Sequence, residues 1–134
     1  MNILVACEFS GVVRDAFLAK GHDAWSCDLL PSDQSGPHIQ RDVLEVLGPC
    51  PENNYGGWNM MIAHPPCTFL SVSGLHWNKR NPTRQLETEK AIEFVRQLLE
   101  ADIPKIALEN PIGCISSRVR KPDQIIQPYN FGHD

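Results

Sequence analysis

The sequence predicts an α/β fold in which a doubly wound, mostly parallel sheet forms a Rossmann-like core. Apolar runs at residues 3–6, 60–63 and 106–108 are short and continuous, which is typical of strands covered on both faces. Segments with helical spacing separate these runs, and strands that alternate with helices favour a parallel sheet. A chain of 134 residues with 42% hydrophobic content has the size of one domain, so we expect a single domain over residues 1–134.

The first strand, residues 3–6, leads through a tight turn into a helix. Ser10 is a good N-cap for this helix, and Gly21 can supply its left-handed stop. Residues 22–26 then read as a second strand, with Asp28 at its tip. In nucleotide-binding α/β folds a carboxylate about 20 residues after the first turn accepts the ribose hydroxyls, and Asp28 stands near that distance.

The middle of the chain holds shorter elements. A third strand ending at Asp42, followed by a short helix, is expected over residues 39–47. The central apolar run is stopped by Pro65 and Pro66, because prolines withhold the backbone donors that a central ladder needs. Residues 72–81 are polar and lack a clear period, so they are predicted to form a mobile loop.

The second half contains the most clearly patterned helix. Side chains at spacings of four, three and four predict this helix over residues 83–101, with Asn81 as its N-cap. A last strand follows over residues 106–108. Right-handed crossovers would bring the carboxyl ends of the parallel strands to one rim of the sheet. That rim would carry Phe9, Ser10, Gly11, Asp28, Asp42, Cys67 and Glu109.

Composition limits the classes of partner. A net charge of -4 argues against a wide nucleic-acid interface, because that affinity comes largely from Lys and Arg, so any such contact must be local or shared. The five cysteines include no C-x-x-C pair, which fits neither a disulfide framework nor a zinc site, and no metal ligand is predicted. Reduced thiols, the lack of a signal peptide and the lack of a run of about 18 apolar residues predict a soluble, cytoplasmic protein with no membrane partner.

Two proline-flanked strand tips carry reactive groups, Cys67 and Glu109. A thiolate beside a carboxyl group suits attack on an electron-poor ring, provided that the carboxyl group holds a proton on the ring. A bare carboxylate raises the pKa of a neighbouring thiol, so cations would help, and Arg118 and Arg120 are candidates. An inert buried cysteine and a solvated basic turn are the open alternatives.

Five short motifs follow one another along the chain: Phe9-Ser10-Gly11, Asp28, Asp42, Pro65-Pro66-Cys67 and Glu109-Asn110. In order and approximate spacing they resemble the motifs of DNA cytosine-5 methyltransferases. The chain is similar to the small, phage-type members of that family over residues 3 to about 120, most specifically in HPPCTFLS and LENP. The resemblance implies a Rossmann-like methyltransferase core that is truncated at the C-terminus and has no separate target-recognition domain.

The resemblance also implies S-adenosylmethionine as the cofactor. Its methionine part, ribose and adenine would be contacted in turn by the first three motifs, and Pro66 would lie beside it. The implied cofactor-binding residues are therefore Phe9, Ser10, Gly11, Asp28, Asp42 and Pro66.

For catalysis, the resemblance implies that Cys67 adds to C6 of a cytosine, which makes C5 nucleophilic toward the sulfonium methyl group. Glu109 would stabilise the ring at N3 and at its amino group. The cytosine must be flipped out of the duplex or single-stranded, since C6 is inaccessible in the stack. Four further residues would surround the base, namely Pro65, Asn110 and an Arg-x-Arg pair formed by Arg118 and Arg120.

Two other functions stay open at this point. The missing recognition region is also compatible with a non-catalytic methyltransferase-like module that binds a nucleotide or a protein partner. The acidic surface is compatible with chemistry on free pyrimidine nucleotides. If the protein does methylate DNA, a homo-oligomer or a partner subunit would have to supply target recognition.

Overall fold

The computed structural model describes residues 1–132, apart from the side chains at positions 72, 73, 76, 128 and 131. Its centre is a parallel sheet of five strands: β1 (Asn2–Ala6), β2 (Asp23–Asp28), β3 (His38–Gln40), β4 (Met60–Ala63) and β5 (Lys105–Leu108). Their order across the sheet is β3-β2-β1-β4-β5. The strand order therefore reverses between β1 and β4, and ligands of open α/β sheets bind at such a switch point.

Helices and short 3₁₀ turns connect these strands. The helices of the described residues are α1 (Val12–Ala19), α2 (Val72–Leu75), α3 (Pro82–Leu99) and α4 (Ile115–Arg118). The 3₁₀ turns lie at Val43–Glu45, Pro51–Asn53, His76–Arg80 and Pro128–Phe131. No helix within residues 1–132 combines the length and the apolar character that crossing a bilayer requires.

The two long helices pack against opposite faces of the sheet. On one face, the fully buried side chains of Ile3 and Val5 contact Phe17 of α1. On the other face, a larger core includes Met61 of β4 and Leu98 of α3. The prediction of an α/β fold with a parallel sheet is confirmed, and the continuous apolar runs are explained by cover on both faces of the central strands.

Several predicted elements match the structure closely. The strand predicted at residues 60–63 is β4, and the helix predicted at 83–101 is α3, which ends at Leu99. The Asn81 side chain accepts a hydrogen bond from the backbone N–H of Arg84 at 3.1 Å, which is the predicted N-cap. The short helix expected after Asp42 is a 3₁₀ turn at Val43–Glu45.

The prediction of a mobile loop at residues 72–81 is wrong, because this segment forms α2 and a 3₁₀ turn. Side chains of α3 hold it in place. Arg84 donates to the carbonyl oxygens of Gly74 at 3.1 Å and Thr68 at 2.8 Å. Asn78 donates to the hydroxyl of Thr88 at 3.0 Å. Side-chain contacts with the following helix thus support helical turns where local periodicity gives no signal.

The strand β5 lies at one edge of the sheet. Lys105 and Ala107 are exposed, whereas Ile106 and Leu108 are half-buried on the opposite face. Its described ladder is with β4 alone, and prolines stand before and after the strand, at Pro104 and beyond Asn110.

Candidate functional site

A buried carboxylate closes the amino end of α1. Glu8 is only 6% exposed, and its carboxylate accepts hydrogen bonds from the backbone N–H groups of Val13 at 2.8 Å and Arg14 at 3.3 Å. It also accepts from the hydroxyl of Ser10 at 3.0 Å. A negative group therefore already occupies the positive end of the helix, where other α/β folds bind phosphate.

The prediction that Ser10 is the N-cap of α1 is wrong. The N-cap is Gly11, which has a positive φ of 80° and no side chain to offer. The hydroxyl of Ser10 instead accepts from the backbone N–H of Val12 at 3.2 Å. Because Gly11 cannot cap, the capping function passes back to Glu8, three residues earlier.

Arg14 fastens the loop after β2 to α1 and is completely buried. Its guanidinium donates to the hydroxyls of Ser26 and Ser32, both at 3.0 Å, and its Nε donates to Asp15 at 2.9 Å. It also reaches three carbonyl oxygens of the loop at 3.2 to 3.5 Å, those of Gln34, Ser35 and Pro37. This role is not predictable from local sequence, because an arginine in a helix ordinarily keeps its side chain in solvent.

The glycines facing Arg14 have a structural reason. A Cβ at Gly11 would come within 2.7 Å of the guanidinium of Arg14 and 3.0 Å of the Cβ of Gln34, and a Cβ at Gly36 within 2.8 Å of the same guanidinium. The missing side chain at Gly11 is therefore required by packing within the protein. Close approach of a cofactor is not needed to explain it.

The two predicted aspartates lie near Cys7, which follows β1. Asp28 is the last residue of β2, and Asp42 follows β3. Asp28 accepts from the backbone N–H of Leu30 at 2.9 Å, and Asp42 accepts from that of Leu44 at 3.0 Å. Burial raises the pKa of the Cys7 thiol to about 12, and the nearby carboxylates of Asp28 and Asp42 both add to that rise. Each aspartate uses one carboxylate oxygen in these described bonds, so the other oxygen is available to hydroxyl or amino groups of a ligand.

The loop that carries Cys67 is tied to the segment after Glu109. The side-chain amide of Asn110 donates to the carbonyl of Pro65 at 2.9 Å, and the backbone N–H of Cys114 donates to that of Leu70 at 2.9 Å. These bonds lie on either side of Cys67 in the chain. The carboxyl ends of β4 and β5 thus place the cysteine and the glutamate on neighbouring loops that are held together.

A close backbone contact reinforces this tie. Ser71 and Gly113 form an isolated antiparallel bridge, and a Cβ at Gly113 would overlap the carbonyl of Leu70. Glycine is therefore required where the two loops meet. Within the loop that carries Cys67, Pro65 is buried, Cys67 is half-buried and Pro66 is exposed.

The predicted arginine pair is engaged elsewhere. Arg118 donates to both carboxylate oxygens of Glu89 on α3, at 2.9 and 2.8 Å. Arg120 pairs with Asp123 at 2.8 Å. All four side chains are substantially exposed, and the described ion pairs link neither arginine to Glu109. The role predicted for Arg118 and Arg120 beside the base therefore gains no support from these contacts.

We expect iodoacetamide to label Cys67 first at pH 8. Burial raises the pKa of Cys7 to about 12 and that of Cys27 to about 11, and it also raises the pKa values of Cys50 and Cys114. Peptide mass mapping after brief labelling identifies the modified site, and Cys67→Ser should lose the fast adduct. Faster labelling of any other cysteine would contradict this reading of the site.

Stability should fall above pH 9. The folded protein raises the pKa of Cys7 from 9.0 to about 12, so this thiol stays protonated in the folded chain while it ionises in the unfolded chain. The contribution of Cys7 is complete below pH 9 and is lost as the pH rises toward 12. We expect Tm, measured from pH 8 to 11, to fall less steeply for Cys7→Ser than for the wild type. Equal slopes would show that Cys7 does not contribute.

No protein-family model, no curated protein and no solved structure matches this chain. Within residues 1–132, no group of three or more His, Cys, Asp or Glu side chains is placed to hold a metal ion. The chemistry of the site therefore has to be argued from its own geometry.

Proposed function

We propose that this protein is an S-adenosylmethionine-dependent methyltransferase that modifies C5 of cytosine in DNA through a covalent adduct at Cys67. The observation that carries the proposal is the tie between the Cys67 loop and the Glu109 segment at the carboxyl edge of the sheet. A nucleophile and a carboxyl group on two coupled loops, next to a switch point, suit attack on a ring held between them. The proposal also draws on the resemblance of these motifs to those of cytosine-5 methyltransferases.

The charge of the rim supports a cationic ligand. Glu8 fills the positive end of α1, while Asp28 ends β2 and Asp42 follows β3, and both carboxylates help to raise the pKa of Cys7. Such a surface disfavours the pyrophosphate of a dinucleotide, because a phosphate there would meet carboxylates and find no free helix terminus. S-adenosylmethionine has no phosphate, and its sulfonium and ammonium groups outweigh its single carboxylate, so its net positive charge suits these acceptors.

The free oxygens of the two aspartates suit the hydroxyls and the amino group of a nucleoside, and Phe9 has 42% of its surface exposed for contact with an apolar part. Pro66 is exposed and directly precedes Cys67 in the chain, so it can contact a cofactor that lies beside the thiol. Ser10 and Gly11 contribute through the turn that they form with Glu8, and a direct contact of the Ser10 hydroxyl with the cofactor is not required.

In the proposed reaction, Cys67 forms a bond from its sulfur to C6 of the base, and the electrons of the C5–C6 double bond move to C5. When bound, the cofactor supplies the methyl group that C5 takes up. Glu109, in its protonated form, donates a hydrogen bond to N3 and accepts one from the amino group, and so stabilises the negative charge that develops on the ring. A proton then leaves C5 to solvent, the sulfur–C6 bond breaks and the ring regains its double bond.

One set of observations favours a non-catalytic module as a second candidate. The rim is acidic, and Arg118 and Arg120 form ion pairs with Glu89 and Asp123. A protein that methylates DNA needs cations near the phosphates, and these two arginines are already engaged. A partner subunit or a second copy of this chain would have to bring such cations if the enzyme proposal holds.

Calorimetry and methyl transfer together test both candidates. We expect S-adenosylmethionine and S-adenosylhomocysteine to bind, and tritiated methyl groups to enter a single-stranded, cytosine-rich oligonucleotide. An otherwise identical oligonucleotide with thymine in place of every cytosine is the control. Binding without transfer would favour the non-catalytic module, and binding of neither compound would overturn the cofactor assignment.

A further inference from the structure

His64 lies between the ends of three strands and beside the proposed catalytic carboxylate. Its backbone N–H continues the sheet ladder by donating to the carbonyl of Ala6 at 3.0 Å. Its side-chain Nδ1 stands 3.7 Å from Oε2 of Glu109, slightly longer than a hydrogen bond. His64 also directly precedes the two prolines that lead to Cys67.

The two ring nitrogens of His64 have different surroundings. Nε2 is enclosed and has no hydrogen-bond partner in the described part of the chain, whereas Nδ1 faces a carboxylate. An enclosed N–H without an acceptor is rarer in proteins than an unused acceptor, because the donor loses its water and gains nothing. The neutral ring is therefore expected to carry its proton on Nδ1, directed at Glu109.

Glu109 needs such a partner. Its side chain is 59% exposed, and its backbone is fixed by donation from its N–H to the carbonyl of Ala63 at 3.0 Å. A free glutamate side chain at this exposure would sample many rotamers, and fixing it in one of them costs conformational entropy. His64 is the described side chain that approaches the carboxylate.

We propose that His64 is a positioning residue for Glu109, its Nδ1–H holding Oε2 so that the other carboxylate oxygen faces the base. This inference rests on the proposed function for its catalytic meaning, although the contact itself does not. The proposed methyltransferase function does not itself require a role for His64. We expect kcat to be higher with this contact than without it, because the carboxylate is already oriented when the base binds.

The contact can be tested without any cofactor by the ¹⁵N spectrum of the histidine rings at pH 8. We expect Nδ1 of His64 to be protonated in the wild type and Nε2 to be bare, and the Nδ1 resonance to shift in Glu109→Ala because its N–H no longer faces a carboxylate. Protonation at Nε2 in the wild type, or an unchanged Nδ1 resonance in Glu109→Ala, would overturn the proposal. This result is independent of methyl transfer, so it separates failure of the His64 inference from failure of the proposed function.

A pair of substitutions tests the effect on the reaction. In His64→Asn the side-chain amide can place an N–H where Nδ1 lies, whereas His64→Leu has a similar bulk and no donor. We expect kcat to fall about 10- to 100-fold in His64→Leu, as for other partners that orient an active-site group, and to be largely restored in His64→Asn.

Calorimetry with S-adenosylhomocysteine and Tm measurements show whether these variants keep their fold and their cofactor site. Equal losses in His64→Asn and His64→Leu, with both variants folded, would contradict a positioning role that depends on the N–H donor. A higher KM with an unchanged kcat would also contradict the positioning role, because orientation of the carboxylate should act in the transition state.

Discussion

Methyl transfer should fall to background in Cys67→Ala, by at least about a thousand-fold, because the variant lacks the thiol that forms the bond to C6 and so activates C5. The thiol of Cys7, at the end of β1, does not replace it, because burial raises the pKa of Cys7 to about 12. Incorporation of tritiated methyl groups into single-stranded DNA measures the loss. Cofactor affinity should change little, since the thiol attacks the base and makes no proposed contact with the cofactor. An oligonucleotide with fluorine at C5 of cytosine adds a second readout, because C5 then has no proton to lose and the adduct persists on a denaturing gel.

Thr68→Ala is the matched control for this experiment. Thr68 is the exposed neighbour of Cys67 in the same loop, and the bond that Arg84 makes to it involves only its backbone carbonyl. We expect this variant to form the adduct and transfer methyl groups at nearly the wild-type rate. Persistent transfer in Cys67→Ala, or an adduct that maps to a different cysteine, would rule out the mechanism.

Arg14→Met should lower the free energy of unfolding by about 3 to 5 kcal/mol, the range for loss of a buried charged group that satisfies several partners. Arg14 is completely buried. In the variant, the hydroxyls of Ser26 and Ser32 and three loop carbonyls would all lose their hydrogen-bond donor. Urea unfolding measures the loss. Arg14→Lys should be destabilised too, because an ammonium group cannot reproduce the planar fork of donors.

Arg41→Met is the control for the loss of a positive charge. The Arg41 side chain is 44% exposed and lies 3.9 Å from Glu45 in a surface pair, which typically contributes less than about 1 kcal/mol. Equal destabilisation by the two substitutions would show that burial of Arg14 does not set its contribution. The loop after β2 should also become accessible to proteases in Arg14→Met and stay protected in Arg41→Met.

The elements that were predictable from sequence are those fixed by local signals. The strand β4 is an apolar run that two prolines end, and α3 begins at an Asn-Pro pair that supplies both the cap and the first helical position. The sequence also predicted which residues stand at the carboxyl ends of strands, because parallel strands place those ends on one edge. These residues are Asp28, Asp42, Cys67 and Glu109.

What sequence could not predict depends on side-chain contacts between neighbouring elements, which the hydrophobic pattern does not report. The helical turns at residues 72–80 are held by Arg84, and the amino end of α1 is capped by Glu8 because Gly11 has no side chain. The burial of Arg14 depends on a loop about 20 residues away, and a local pattern carries no information about such a partner. A glutamate shortly before a helix that has no good N-cap residue is a sequence signal that predicts this kind of capping.

The edge strand β5 has a consequence for how molecules of this protein meet one another. An unpaired edge can recruit the same edge of another chain and start a continuous intermolecular sheet. Here the strand is four residues long, opens with the charge of Lys105 and is followed by Pro111, three residues after Leu108. Short length, a lysine and prolines are the features that blunt such pairing. The protein thus keeps a parallel sheet with an open side while offering little template for aggregation.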